Sequence, residues 1–143
     1  RIAQFENDLL ETSEKFGATV FAWCVLPNHY HILVQTDNIR EFQSEGLGKL
    51  HGKTSFQWNS EDNQRGRKIW YKSFERPMKS NRHFWASVNY IHNNSVHHGL
   101  VNKWQDWAFS SASNFIESFG REKAVEIWKE HPILDYGKDW DIY

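Results

Sequence analysis

The stretch ATVFAWCVLPNHYHILVQT, residues 18–36, predicts a β-hairpin. Both halves are rich in β-branched and aromatic residues, which favours strands over 18–26 and 29–36. Pro27 and Asn28 between them form a typical turn dipeptide. Side chains alternate across a strand, so His29 and His31 are expected on the same face. The hairpin therefore presents two imidazoles side by side, just past its turn.

The spacing of this histidine pair leaves its role open. A metal ion, a phosphate group or ordinary hydrogen bonding would each suit two imidazoles on one strand face, and strand histidines most often do the last. Structural zinc needs four ligands, normally from Cys and His. Cys24 is the sole cysteine and precedes the turn, and the sequence names no fourth ligand. Zinc is therefore the weaker metal hypothesis.

The composition is that of a globular protein of about one domain. Of the 143 residues, 39% are hydrophobic and 16% aromatic, which is enough to build a core and argues against disorder. No run approaches the ~20 apolar residues of a membrane span, and no signal peptide is recognisable. The lone Cys24 is predicted to be buried packing in a reducing compartment. We expect a soluble, cytoplasmic protein.

Charge is distributed unevenly, although the formal net charge is −1. Residues 40–82 contain ten Lys and Arg against five Asp and Glu, whereas 1–39 and 83–143 each carry a net −3. A basic middle between acidic flanks predicts a local phosphate-binding surface on a near-neutral protein. An ordinary solvent-exposed surface would have the same charge distribution, and charge alone does not distinguish it from a phosphate-binding surface.

Outward from the hairpin, hydrophobic periodicity predicts mostly helix. Gly17 is a plausible stop for the first helix, and Ser80 or Asn81 is the N-cap of the last long one. The tail is predicted to hold one or two short helices. The order α-β-β-α-β-α is that of an α+β domain. The remaining predicted elements are helices over 2–16, 40–60 and 82–94, and a strand over 68–78.

Two polar residues on the helix over 82–94 share a face. Tyr90 and Asn94 are four positions apart, which places them one above the other. Tyr90 lies beside the apolar stripe marked by Phe84, Val88 and Ile91, so boundary packing alone would explain it. Among the other histidines, we assign His92 no role, take His51 and His83 as ordinary, and expect His97 and His98 at the surface or on a DNA phosphate.

Five segments form a specific set in their order along the chain. They are WCVLPNHYHILVQ (23–35), LGKLHGKTSFQWN (47–59), KIWYKSFERPM (68–78), NYIHNNSVHHGLV (89–101) and WAFSSASNF (107–115). Together they resemble the HUH-type single-tyrosine transposases, and among these the REP-associated tyrosine transposases, relatives of the transposases of small insertion sequences. The resemblance covers residues 1–116, taken as the catalytic domain, and leaves 117–143 as a C-terminal helical extension.

The resemblance implies a ferredoxin-like fold with an antiparallel sheet packed against helices. It also implies a site in which His29, His31 and Asn94 bind Mg²⁺ or Mn²⁺ and Tyr90 is the nucleophile. Such enzymes cleave and rejoin single-stranded DNA next to hairpins through a 5′-phosphotyrosine intermediate. The implied partner is a REP-like palindrome or an insertion-sequence end, and the implied assembly is a monomer or homodimer in the bacterial cytoplasm, associated with the nucleoid.

Basic residues of the middle segment would follow the DNA backbone under this resemblance, and unpaired bases would stack on exposed aromatic side chains. Two alternatives stay open: a domesticated hairpin-binding protein without turnover, and a related single-tyrosine replication nickase. The candidate DNA-binding residues are Lys49, Lys53, Arg65, Arg67, Lys72 and Arg76.

The chain departs from the family pattern at two places. Relatives have a proline where this chain has Ser95, so we expect altered helix termination rather than lost chemistry. Relatives also begin with a strand that takes a central place in the sheet, whereas this sequence begins at the first helix. We expect that an upstream segment is omitted from the sequence, or that another segment or a partner chain fills the gap.

Overall fold

The computed structural model describes residues 1–133, and these group into two compact units. Unit 1 comprises Arg1–Val20 and Val34–Glu75, and unit 2 comprises Phe21–Leu33 and the chain from Arg76 onward. The helices are α1 (Ile2–Lys15), α2 (Ile39–Glu41), a π-helix (Phe42–Gly48), α3 (Lys49–Glu61), α4 (Asn81–His97), a 3₁₀ turn (Trp104–Asp106), α5 (Ala112–Phe119) and α6 (Arg121–Glu130). The strands are β1 (Thr19–Val25) and β2 (Tyr30–Gln35).

The predicted hairpin is confirmed, because β1 and β2 pair through the Pro27–Asn28 turn. The helix predicted over 2–16 is confirmed as α1, and Gly17 follows it with a left-handed φ of 67°. The helix predicted over 40–60 is α2, the π-helix and α3 in succession. The short tail helices are α5 and α6. The α+β class with an antiparallel sheet is therefore confirmed, while the domain boundary after residue 116 stays a prediction.

Unit 1 is held by aromatic side chains between α1 and α3. Phe5 of α1 packs against Trp58 and Trp70, with ring centroids 6.1 and 4.9 Å apart. The indole N–H of Trp70 donates to Thr54 Oγ1 at 2.9 Å, and the ring stacks on His51 at 4.4 Å. His51 is thus a packing residue, as expected, and burial lowers its pKa.

The strand predicted over 68–78 is wrong. The structure assigns no strand to these residues, and all of 71–77 are exposed. Trp70 packs within unit 1. Residues with high β propensity form a strand only where their backbone can hydrogen-bond to a neighbouring strand. Within residues 1–133 the sheet consists of β1 and β2, and neither pairs with this segment.

Unit 2 buries the alternate residues of the hairpin against α4. Ala22, Cys24 and Leu26 are buried at intervals of two, as expected for one face of a strand. Cys24 is therefore packing, as predicted. The buried cluster consists of Ala22, Cys24, Leu26, Leu33, Val88, Tyr90, Ile91, Phe115, Ala124 and Ile127.

The outer edge of β1 is covered by the segment that contains the WAFSSA motif. Val25 N–H donates to Phe109 C=O at 2.8 Å, and Ser111 N–H donates to Trp23 C=O at 3.0 Å. The indole N–H of Trp107 donates to Val25 C=O at 2.9 Å. These bonds satisfy polar groups that a strand edge would otherwise leave open.

The last long helix runs three residues further than predicted. It begins at the N-cap Ser80, whose hydroxyl accepts from His83 N–H, and α4 ends at His97 rather than residue 94. Ser95 keeps a backbone N–H that a proline would lack, so the helix continues. Gly99, with a φ of 69°, ends it, and Leu100 N–H donates back to Ser95 C=O at 2.9 Å. No helix among the residues that the structure describes is long and apolar enough to cross a membrane.

Candidate active site

The hairpin and α4 bring the four predicted site residues together within unit 2. The rings of His29 and His31 are 5.1 Å apart between centroids and edge to face. The ring of Tyr90 lies 5.3 Å from that of His31, and Asn94 Oδ1 lies 3.2 Å from His29 Nε2. We refer to His29, His31, Tyr90 and Asn94 as the site cluster.

The turn of the hairpin positions the two histidines, and the apolar face of α4 positions Tyr90. Leu26 N–H donates to His29 C=O at 2.8 Å, which closes the turn and starts β2 with the histidines two residues apart. On α4, Val88 and Ile91 enter the core, which rotates the neighbouring Tyr90 toward the hairpin. Tyr90 is 7% exposed, so it is more deeply buried than the boundary position that the periodicity indicated.

Asn94 is the most deeply buried residue of the site cluster. Only 1% of its surface is exposed, and burying an amide is costly unless it has polar partners. Its oxygen faces the ring nitrogen of His29. The helix thus places an amide oxygen against the imidazole pair, as the four-residue spacing from Tyr90 predicts.

The donors of the cluster fit a divalent cation. Two ligands on adjacent corners of an octahedron with bonds of about 2.1 Å lie about 3 Å apart, and His29 Nε2 and Asn94 Oδ1 are 3.2 Å apart. Two imidazoles and one amide oxygen would leave further positions for water and a phosphate oxygen. Residues 1–133 contain no group of three or more His, Cys, Asp or Glu suited to a metal, which gives the structural-zinc hypothesis no support.

A third histidine, His98, contacts the site cluster, and the sequence interpretation missed it. Its ring lies 4.8 Å from that of His29, edge to face, which corrects the expectation of a surface position. His97 is exposed as expected. The signal was present, because Tyr90, Asn94 and His98 follow one another at intervals of four. It was overlooked because the helix was expected to end at residue 94.

His92 has a structural role that the sequence interpretation did not assign. It is fully buried, its ring stacks on Trp104 at 5.2 Å, and its Nε2 lies 2.8 Å from Ser111 Oγ. The same Ser111 oxygen accepts from Trp23 N–H at 3.0 Å. His92 therefore ties α4 to β1 two residues from Tyr90, and burial lowers its pKa to about 3, which keeps the ring neutral.

The six predicted DNA-binding residues differ in the unit to which they belong and in whether they already contact an acidic side chain. Arg76 belongs to unit 2 and the other five to unit 1. Three of these five already contact acids: Lys49 lies 2.6 Å from Glu45, Lys53 lies 3.0 Å from Asp8, and Arg67 lies 2.6 Å from Asp62. The other two, Arg65 and Lys72, are exposed.

Unit 1 also exposes large aromatic side chains among these charges. Phe56 is 81% exposed, Tyr71 70% and Phe74 60%. Lys68 lies over the ring of Tyr71, with its Nζ 4.9 Å from the ring centroid. Exposed rings beside cations suit unpaired bases, whose faces stack while the phosphates are neutralised. The sequence predicted such a surface but did not identify which rings form it.

Comparisons with known proteins identify the family and the fold. The family model described as IS200-like transposase matches residues 3–94, which include the whole site cluster. A protein of Haemophilus influenzae named as a REP-associated tyrosine transposase is 27% identical over 150 residues, covering 99% of this chain and 79% of the relative. A solved REP-associated tyrosine transposase bound to a REP hairpin has a TM-score of 0.61 at 22% identity, covering 83% of this chain and 67% of that one. The last likeness shows the fold.

Proposed function

The chain belongs to the IS200-like transposase family, and from that premise we propose that it cuts and rejoins single-stranded DNA beside a hairpin, with Tyr90 as nucleophile. The observation that carries the proposal is the site cluster itself. A hairpin and a helix more than fifty residues apart in sequence bring two imidazoles, an amide oxygen and a phenol to one place in unit 2. Core packing alone would favour apolar residues at these positions.

The proposed metal site consists of His29, His31 and Asn94. A bound Mg²⁺ or Mn²⁺ would polarise the scissile phosphate, whose negative charge otherwise repels a nucleophile. Neutral imidazoles and an amide add no negative charge to this region, so the net positive charge of a bound cation is left for the phosphate. The 3.2 Å spacing of His29 Nε2 and Asn94 Oδ1 supports this assignment.

Tyr90 would supply the attacking oxygen. In the cleavage step its Oη forms a bond to phosphorus, the bond from phosphorus to the 3′ oxygen breaks, and the 3′ oxygen takes up a proton. The phenol loses its own proton as it attacks. The product is a 5′-phosphotyrosine and a free 3′-OH, and because the ester bond is conserved in the intermediate, rejoining needs no nucleotide cofactor.

The proposed DNA substrate is a hairpin with adjoining single strand, of the kind named for the solved relative. In unit 1, Lys72 and Arg65 would contact phosphates, while Phe56, Tyr71 and Phe74 would stack on unpaired bases. Lys49, Lys53 and Arg67 would contribute less, since each already contacts a carboxylate.

The test is covalent capture of a 3′-labelled DNA strand by the protein with Mg²⁺ or Mn²⁺ and a library of REP-like hairpins. We expect an SDS-resistant adduct with the native chain and none with Tyr90→Phe. Tyr30→Phe is the matched control, because Tyr30 lies between the two histidines on β2 and its side chain belongs to the opposite strand face. The control should form the adduct.

Two outcomes would overturn the proposal. An adduct that persists in Tyr90→Phe would assign the nucleophile elsewhere. Hairpin binding that is tight in EDTA, with no adduct from the native chain, would favour the alternative of a hairpin-binding protein without turnover.

A further inference from the structure

Asn28, the turn residue before the histidine pair, makes a short hydrogen bond into the site cluster. It is exposed and follows Pro27, and its Oδ1 lies 2.7 Å from His29 Nδ1. An amide oxygen has no hydrogen to give, so it can only accept. The hydrogen in this bond therefore belongs to His29 Nδ1.

This bond decides what the other nitrogen of the ring can do. A neutral imidazole carries one hydrogen, so with Nδ1 protonated, His29 Nε2 presents a lone pair. That lone pair faces Asn94 Oδ1, another acceptor, at 3.2 Å. In this tautomer Nε2 and Asn94 Oδ1 are both acceptors, so a cation placed between them would make an attractive contact with each.

We propose that Asn28 is a positioning residue that fixes the tautomer of His29 and so keeps Nε2 available to a cation. Without Asn28, the hydrogen can move to His29 Nε2 and be donated to Asn94 Oδ1. The two proposed metal ligands would then hydrogen-bond to each other instead of binding a cation. The turn would then control metal affinity without contacting the metal. The metal part of this inference rests on the proposed function, whereas the tautomer does not.

The choice of asparagine also has a physical reason. Metal-bound histidines commonly donate their second N–H to a carboxylate or a carbonyl oxygen, and a carboxylate also raises the basicity of the ring. An aspartate at position 28 would do so but would place a negative charge beside an approaching phosphate. An amide gives the same orientation without that charge.

The experiment uses the full chain and three variants: Asn28→Ala, Asn28→Asp and Asn102→Ala. Asn102 is an exposed asparagine on the loop after α4 and serves as the matched control. The tautomer of His29 is measured by ¹⁵N NMR of the imidazole nitrogens in metal-free protein at pH 8. The affinity for Mn²⁺ is measured by calorimetry, and binding of a fixed REP-like hairpin is measured in EDTA.

In Asn28→Ala we expect the hydrogen of His29 to shift to Nε2 and the Mn²⁺ affinity to fall about 10- to 100-fold. Asn28→Asp should keep the hydrogen on Nδ1 and keep the Mn²⁺ affinity, while binding the hairpin several-fold more weakly in EDTA. Asn102→Ala should match the native chain in all three measurements.

The inference is overturned if Asn28→Ala leaves the hydrogen on Nδ1, or if it moves the hydrogen while the Mn²⁺ affinity stays at the native value. Failure of the proposed function looks different. In that case the native chain forms no DNA adduct, while the tautomer still responds to Asn28→Ala.

Discussion

The site cluster of unit 2 and the basic, aromatic surface of unit 1 are built in opposite ways. Tyr90 and Asn94 are almost wholly buried; the ring of Tyr90 contacts that of His31, and Asn94 Oδ1 lies 3.2 Å from His29 Nε2. Lys49 and Lys72, by contrast, are exposed, and Lys49 already pairs with Glu45. A buried polar contact has no water to replace it, whereas exposed charges substitute for one another. Single substitutions should therefore have severe effects in the first region and graded effects in the second.

The largest effect is expected at the histidine pair. His31→Ala removes one of three proposed protein ligands and the ring that contacts Tyr90. We expect Mn²⁺ affinity to fall at least ~10-fold and adduct formation at least ~100-fold. Calorimetry and the covalent capture assay measure the two effects, with His97→Ala, an exposed histidine on the same helix as Tyr90, as the control. Native adduct yield in His31→Ala would show that the pair does not act on the phosphate.

The next largest effect is on stability. Asn89 is fully buried on α4, and its amide donates to the C=O groups of Ile127 at 3.2 Å and His131 at 3.0 Å, at the end of α6. Asn89→Ala leaves these carbonyls without that donor, and we expect the free energy of unfolding to fall by about 2–3 kcal/mol. Urea unfolding tests this against Asn93→Ala, a half-buried neighbour that should cost under about 1 kcal/mol. Equal losses in the two variants would refute the role of Asn89.

A smaller effect should depend on pH. The pKa of His92 is about 3 in the folded protein and near 6.5 in the unfolded chain, so between these values the unfolded chain binds the proton and the folded one does not. Stability should therefore fall as pH drops below about 6.5, by about 1 kcal/mol between pH 7.5 and pH 5.5. His92→Gln, which can still bond to Ser111, should lack this part of the slope. Parallel pH profiles of the two proteins would show that His92 is not the cause.

The smallest effects are expected on the surface of unit 1. Lys72→Ala should weaken hairpin binding a few-fold and lower the salt slope by about 0.7, the loss of one single-strand phosphate contact. Lys53→Ala should change the slope less, because its ammonium group already contacts Asp8 at 3.0 Å. Fluorescence titrations at several salt concentrations separate the two. A slope unchanged by Lys72→Ala would remove this surface from the proposed DNA path.

The sequence predicted what depends on regular spacing and missed what depends on a pairing partner, on where a helix ends and on side-chain orientation. The hairpin and the shared faces of His29 with His31 and of Tyr90 with Asn94 follow from periods of two and four residues, which are local. The strand over 68–78 was wrong because a strand needs a pairing partner, and propensity does not supply one. His98 was missed because the helix continues through Ser95. The hydrogen bond of Asn28 depends on side-chain orientation, which a sequence pattern does not carry.

The central claim, that Tyr90 attacks the phosphate, is tested most directly by locating the nucleotide on the protein. Cleavage by trypsin after Arg82 and Lys103 releases residues 83–103, in which Tyr90 is the single tyrosine. After reaction with a hairpin substrate and nuclease digestion, mass spectrometry should find a 5′-linked nucleotide on this peptide, at Tyr90. A nucleotide found on the peptide that contains Tyr30 or Tyr71, or on no peptide while the strand is cut, would contradict the account.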